Sequence, residues 1–194
     1  VAPSRGLGDV YKRQELCGER PDPQWSAVAA GLRIPHFADG TTREHAGYDG
    51  EMIKQADANL LGYPLGIVTG REAQLRDLEY YERRIDPRNG PAMSYSVFAI
   101  QYARLGMAEK ACEMFRRSYL PNLRPPFGVF AETATSGNPY FMTGAGGMLQ
   151  AVLFGFGGLE ITADGLVQRP SVLPPQWKNL RIKINGKIYQ ATNQ

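Results

Sequence analysis

"NPYFMTGAGGMLQAVLFGFGGL", residues 138–159, carries no charged side chain and reads as a helix with almost no polar face. A helix that is apolar all round is buried on every side. Its Gly144, Ala145, Gly146 and Gly147 would let neighbouring backbones approach closely. Each glycine costs about 1 kcal/mol of helix propensity relative to alanine. Something must offset that cost, either tight packing at the centre of a helical assembly or close approach to a ligand.

The segments upstream supply that assembly. "GEMIKQADANLLGYPL" (50–65) places Met52, Ile53, Ala56, Leu60 and Leu61 at helical spacing and ends at Tyr63-Pro64, where the residue before proline is driven out of the helical region. "TGREAQLRDLEYYERRI" (69–85) opens with Thr69 three residues before Glu72, the pattern of a capping box, and sets Leu75, Leu78, Tyr81 and Ile85 on one side. "MSYSVFAIQYARLG" (93–106) ends at a glycine suited to a helix C-terminus, and "AEKACEMFRRSYL" (108–120) follows almost at once. So short a connection implies antiparallel helical neighbours. Residues 15–48, rich in Pro and Gly, read as a long irregular layer. The start is different again: "SRGLGDVYKRQ" (4–14) has no amphipathic period and resembles translated adapter sequence, so residues 1–14 are read as non-native and left out of the fold.

Downstream of Gly158 the texture changes to strands. Asp164-Gly165 and Asn185-Gly186 are both two-residue hairpin signals. The second turn puts Leu180, Ile182, Ile184, Tyr189 and Ala191 on one face and Arg181, Lys183 and Gln190 on the other. Two hairpins are too few to stand alone, so this sheet packs on the helices or completes strands supplied by other sequence.

Composition limits the functional reading. The 194 residues are 43% hydrophobic, ordinary for a globular core, and 22 basic residues are scattered among 19 acidic ones with a net charge of +3. No basic block points to nucleic acid, and no apolar run of about 18 residues points to a membrane. Cys17 and Cys112 match no metal or redox spacing and read as free thiols, and neither a metal nor a cofactor is expected. Glu79, Glu82, Arg83 and Arg84 read as a solvated helix face, Trp25 and Trp177 as packing or sugar-stacking residues, and His36 and His45 as possible cleft residues. One carboxylate stands out: Glu132 lies in "RPPFGVFAETATSGNPYF" (124–141), a loop rich in Pro, Gly and aromatic residues that could project it into a cleft lined by Phe127, Phe130, Tyr140 and Phe141.

"GEMIKQADANLLGYPL" and "FGVFAETATSGNPYFMTGAGGMLQAVLFGFGGLEIT" together resemble the C-terminal half of the catalytic region of glycoside hydrolase family 65, a group of α-glucoside hydrolases and phosphorylases. The likeness spans about residues 30–190. It implies a mostly α fold: residues 15–157 as part of an (α/α)6 barrel of the six-hairpin glycosidase kind, and residues 158–194 as an incomplete antiparallel β C-terminal domain. It implies an α-linked glucoside as substrate. Carried over residue by residue, Lys54 and Gln55 match the pair that contacts the glucose to be released, and Glu132 matches the general base of the hydrolase members; Phe130 and Tyr140, as cleft-lining residues, are expected to bind substrate beside them. Asp57, three residues after Lys54, could orient that ammonium as a helical neighbour.

An inverting hydrolase needs a carboxylic acid for the leaving oxygen and, on the opposite face, a carboxylate that activates water. Glu132 suits the second role, and among Glu15, Glu19 and Asp22 there is no convincing acid, so the resemblance places the acid upstream. The phosphorylase members carry a histidine-containing phosphate site near the segment "YFMTGAGG", which here has no histidine; hydrolysis is the favoured expectation and phosphorolysis the alternative. A non-catalytic carbohydrate-binding remnant is the third reading. A helical solenoid is disfavoured because the hairpins show no fixed period.

Overall fold

A computed structural model of the chain describes residues 14, 17–20, 22–55, 57–162 and 164–193. Residues 1–13, read above as non-native together with Gln14, therefore lie outside the described residues. The fold is mostly helical with three small antiparallel sheets of two strands each among the described residues. The helices are α1 (Pro23–Gly31), α2 (Arg71–Glu82), α3 (Ala92–Arg104), α4 (Ala108–Arg117) and α5 (Met142–Gln150), the last continuing as a π-helical turn over Ala151–Phe156. Single 3-10 turns cover Ala58–Leu61 and Leu120–Asn122. The strands are β1 (Leu123–Arg124), β2 (Val129–Phe130), β3 (Leu159–Thr162), β4 (Gly165–Gln168), β5 (Asn179–Ile184) and β6 (Lys187–Thr192).

The central buried helix is α3, not the glycine-rich one. Tyr95, Phe98, Ala99, Ile100, Tyr102 and Ala103 are all buried, and α2, α4 and α5 pack around it. Two polar α3 residues there are paired: Gln101 donates to Asn59 O at 2.9 Å, and the Tyr102 hydroxyl donates to Glu82 Oε2 at 2.8 Å. Glu82 also meets Lys110 Nζ at 2.6 Å, and Arg84 Nε donates to Gly50 O at 3.1 Å. These two members of the expected solvated face thus turn out to join elements. Beyond Leu105, Gly106 adopts φ +78° and lets the chain reverse into α4.

Helix α5 lies against α3 through its small residues. A Cβ at Gly144 would stand 3.0 Å from Ala92 Cβ, one at Gly147 2.9 Å from Ser96 Oγ, and one at Gly155 3.1 Å from Ile100 Cα. Gly146 faces open space. The opposite side of α5 is uncovered, with Met142 and Leu149 exposed, so the expectation of a helix buried all round is corrected. Among the described residues nothing packs against that side, and an apolar residue pattern records which faces avoid water without saying what covers them.

The π turn brings Phe156 into a cluster with Phe115 (ring centroids 5.3 Å) and Trp177 (5.3 Å). Trp177 is thereby a packing residue. Carbonyls at this end are met by Arg104, whose Nε donates to Phe154 O and whose Nη2 donates to Leu159 O.

Three local expectations are corrected by the backbone. Residues 50–55 and Asp57 do not form a helix: Ile53 N donates to Arg84 O at 2.8 Å and Asp86 N donates to Ile53 O at 3.0 Å, so Ile53 pairs with the chain just past α2. Helix α2 starts without the Thr69 capping box, its N-cap being Gly70 with no side-chain bond. Part of the supposedly irregular 15–48 layer is α1, where Pro23 sits in the first turn and the Asp22 carboxylate accepts from Gln24 N at 2.9 Å. Proline marks a helix start as readily as a stop.

The C-terminal hairpin follows its expected register, Leu180 opposite Ala191 and Ile182 opposite Tyr189, with Asn185 (φ 48°) and Gly186 (φ 81°) in the turn. In the β3–β4 hairpin Thr162 pairs with Gly165, so Gly165 opens β4 and the turn falls one residue earlier than expected. Leu180 and Ala191 pack against the helical core, while Tyr189 is buried with its hydroxyl donating to Leu166 O of β4 at 3.4 Å. Cys17 and Cys112 are free thiols. Among the described residues no helix is long and apolar enough to cross a membrane.

Candidate active site

Lys54 and Gln55 lie on the irregular strand-like stretch that Ile53 ties to the chain just past α2, exposed on the rim of a pocket of about 390 Å³. The pocket is also lined by Glu44, His45, Tyr48, Glu51 and Asp57. Gln55 shares the rim with Lys54, whereas Asp57 does not orient Lys54 through a helix: it stands at the start of the Ala58–Leu61 turn. The ammonium of Lys54 points instead at Glu132, with Nζ 3.5 Å from Oε1.

Glu132 follows β2 on the loop that leads to α5. Its carbonyl accepts from Ala92 N, at the start of α3, at 3.1 Å, and from Asn122 Nδ2 at 3.0 Å. Glu132 is thus fastened to the central helix while its carboxylate stays reachable, the side chain being 28% exposed. Among the described residues the carboxylate meets a single partner, Lys54. An ion pair this exposed contributes about 0–1 kcal/mol to stability. Its worth is chemical: a carboxylate and an ammonium at one spot can accept a proton from water and donate to a sugar hydroxyl.

The aromatic residues of the loop divide. Phe130 does not face the Lys54 pocket: its ring edge lies against Gly144, where a Cβ would come within 2.7 Å of Cε1, so it seats the loop on α5. Phe127 and Tyr140 stand 89% and 75% exposed. Tyr140 adopts φ +60°, a conformation that costs a bulky residue roughly 1–3 kcal/mol. The next residue anchors the bend, Phe141 N donating to Phe130 O at 2.8 Å. The four aromatics expected to line one cleft therefore do not share one.

Sequence reasoning missed three residues around this site. Burial pushes the Glu44 carboxyl up to about 7 despite the Ala58 N–H beside it, and the Asp57 carboxylate adds to the effect. Both Glu44 oxygens face Ala58 N, at 3.3 and 3.2 Å, so Glu44 braces the turn that follows Lys54 and Gln55. Asn122 and Arg124 bind loop carbonyls next to Glu132. A partnership between a side chain and a distant carbonyl leaves no periodic trace in sequence. His45, read as a cleft candidate, does line the Lys54 pocket and packs edge-on against Tyr48 at 5.9 Å. No group of three or more His, Cys, Asp or Glu residues that could hold a metal ion occurs among the described residues.

Known proteins resemble this chain along most of its length. It is 50% identical over 163 residues to kojibiose hydrolase from Mucilaginibacter mallensis, an alignment covering 84% of this chain and 24% of that protein. It is 38% identical over 184 residues to protein-glucosylgalactosylhydroxylysine glucosidase from Danio rerio, covering 92% of this chain and 27% of that protein. A solved structure named as a kojibiose phosphorylase from the human microbiome matches with a TM-score of 0.60 at 18% identity, over 92% of this chain and 30% of that one, a likeness of fold. No family model matches. The chain spans about a quarter of the length of these curated relatives.

Proposed function

The chain belongs to glycoside hydrolase family 65, and from that premise we propose that it is the base-bearing part of an inverting α-glucoside hydrolase. Glu132 is the general base. Lys54 and Gln55 hold the glucose unit, and Tyr140 flanks the site. Residues 15–157 form the C-terminal part of an (α/α)6 catalytic barrel and residues 158–194 a β domain attached to it. The general acid belongs to sequence upstream of this chain.

In the reaction a water molecule gives a proton to the Glu132 carboxylate as its oxygen bonds to the anomeric carbon. The glycosidic bond breaks, the leaving oxygen takes a proton from the acid, and the sugar is released with inverted configuration. This requires roughly 6.5–9.5 Å between the two carboxyl groups to admit the water. Glu44 is not assigned as the acid, because both its oxygens serve Ala58 N.

The observation that carries the reading is the meeting of Lys54 and Glu132, residues far apart in sequence whose charged atoms come within 3.5 Å. Hydrolysis is preferred to phosphorolysis because the Tyr140–Gly147 stretch offers no histidine or cationic side chain to a phosphate. The test is turnover of kojibiose by the full-length protein in phosphate buffer. Glucose as the sole product supports hydrolysis. Glucose 1-phosphate overturns it, and turnover undiminished by Glu132→Gln removes Glu132 from the mechanism.

A further inference from the structure

We propose that Asn122 is a positioning residue for Glu132, an inference that rests on the reading of Glu132 as the base. The Glu132 carboxylate has one partner among the described residues, Lys54, itself 60% exposed. A pair held that loosely contributes at most about 1 kcal/mol and cannot by itself hold the base in one place. The order must come from the backbone.

Asn122 supplies it. The residue is 3% exposed at the end of the Leu120–Asn122 turn. Its side-chain amide has two N–H donors, and Nδ2 reaches two successive carbonyls, Ala131 O and Glu132 O, each at 3.0 Å. Its own carbonyl accepts from Ala131 N at 2.8 Å. Ala92 N completes the set at Glu132 O, so the base is fixed between the turn and the first residue of α3.

Two residues further on, Arg124 continues the same bracket. Its Nη2 donates to Thr133 O at 3.0 Å, Ala134 O at 2.8 Å and Ser136 O at 3.1 Å, while Nη1 donates to Pro121 O at 2.8 Å. Every carbonyl from Ala131 to Ala134 thus receives a protein donor, in a loop whose carbonyls would ordinarily turn to water. Such density on one side of a carboxylate places the group rather than merely closing a loop.

The test compares Asn122→Ala and Arg124→Lys in the full-length protein with kojibiose, each with Glu132 intact and in the Glu132→Gln background. A base displaced by about 1 Å loses on the order of 100-fold in rate. Asn122→Ala is expected to lower kcat to that extent with KM unchanged, and Arg124→Lys to lower it about tenfold by the same geometric argument. In the Glu132→Gln background neither change is expected to lower the residual rate further. Wild-type kcat in Asn122→Ala, or the same fractional loss in both backgrounds, overturns the proposal. If Asn122→Ala does not give a cooperative melt, Arg124→Lys decides by the same two criteria. Failure of the base reading is separable: it appears as full turnover in Glu132→Gln alone.

Discussion

The ammonium of Lys54 and the carboxylate of Glu132 stand 3.5 Å apart, although one side chain is carried by a stretch paired to the chain just past α2 and the other by a loop pinned to the start of α3. The pair is too exposed to matter much for folding. Glu132→Gln is therefore expected to lower kcat by about 100- to 10,000-fold in the full-length protein, leaving a measurable residual rate, while moving the melting temperature by no more than about 4 °C. Lys54→Ala is expected to raise KM by at least about tenfold, the usual loss for a charged hydrogen bond to a sugar hydroxyl. Steady-state kinetics alongside a thermal melt check both; a large fall in melting temperature for Glu132→Gln would show the pair to be structural.

Glu44 makes stability depend on pH. Its folded-state value of about 7 lies above the ordinary 4.5, so the folded chain keeps a proton that the unfolded chain has released. The associated stability is fully present below about pH 4.5 and is lost as pH rises through about 7. Melting temperature is expected to fall across that window, and Glu44→Gln to flatten the fall and raise the melting temperature at pH 8. A wild-type melting temperature that climbs between pH 5 and 7 would mean that the bond from Ala58 N outweighs burial.

The glycines of α5 are expected to separate by position. Gly146 faces open space, so Gly146→Ala gains helix propensity and is expected to stabilise by about 0.5–1 kcal/mol. At Gly147 a Cβ meets Ser96 Oγ at 2.9 Å and Met93 Cα at 3.3 Å, and overpacking of about 1–3 kcal/mol outweighs that gain. Chemical denaturation of the two single variants checks the order, and equal effects would contradict the close approach of α5 to α3.

A leaving group that needs no proton tests the division of labour between base and acid. The 194-residue polypeptide on its own is expected to be inactive, leaving kojibiose and α-glucosyl fluoride intact, and the full-length protein is expected to release fluoride from α-glucosyl fluoride faster than buffer does. Glu132→Gln is expected to remove that acceleration, as read with a fluoride electrode. Kojibiose turnover by the 194-residue polypeptide would place the acid within these residues instead.

Much of this was legible where local chemistry decides the outcome. Leu78, Tyr81 and Ile85 announced the buried face of α2, Gly106 the end of α3, and Asn185-Gly186 the register of β5 and β6. The stretch around Ile53 misled because Met52 and Ile53 have helical spacing with Leu60, yet the Ile53 backbone found partners at Arg84 and Asp86, a choice made by tertiary contact. The glycine-rich helix misled in the opposite sense, its pattern promising cover on all sides when α3 and the Phe130 loop cover it and the side carrying Met142 and Leu149 stays exposed. Lys54, Gln55 and Glu132 are proposed through resemblance rather than through spacing. Glu44, Asn122 and Arg124 act through main-chain atoms whose owners are distant, which no spacing rule encodes.

The π turn at Ala151–Phe156 has a consequence for chain length. It spends one residue more than an α-helix would on the same turn, and each helical residue rotates the direction of its side chain by about 100°. Removing a single residue there would restore regular winding and yet swing Phe156 away from Phe115 and Trp177. The irregular turn acts as a phase adjuster: upstream of it small residues face α3, downstream of it a large ring faces the aromatic cluster. A deletion scan through Ala151–Phe156 should therefore damage the protein more than alanine substitution at the same positions, because it is the count of residues, as much as their identity, that keeps the two halves of this helix in step.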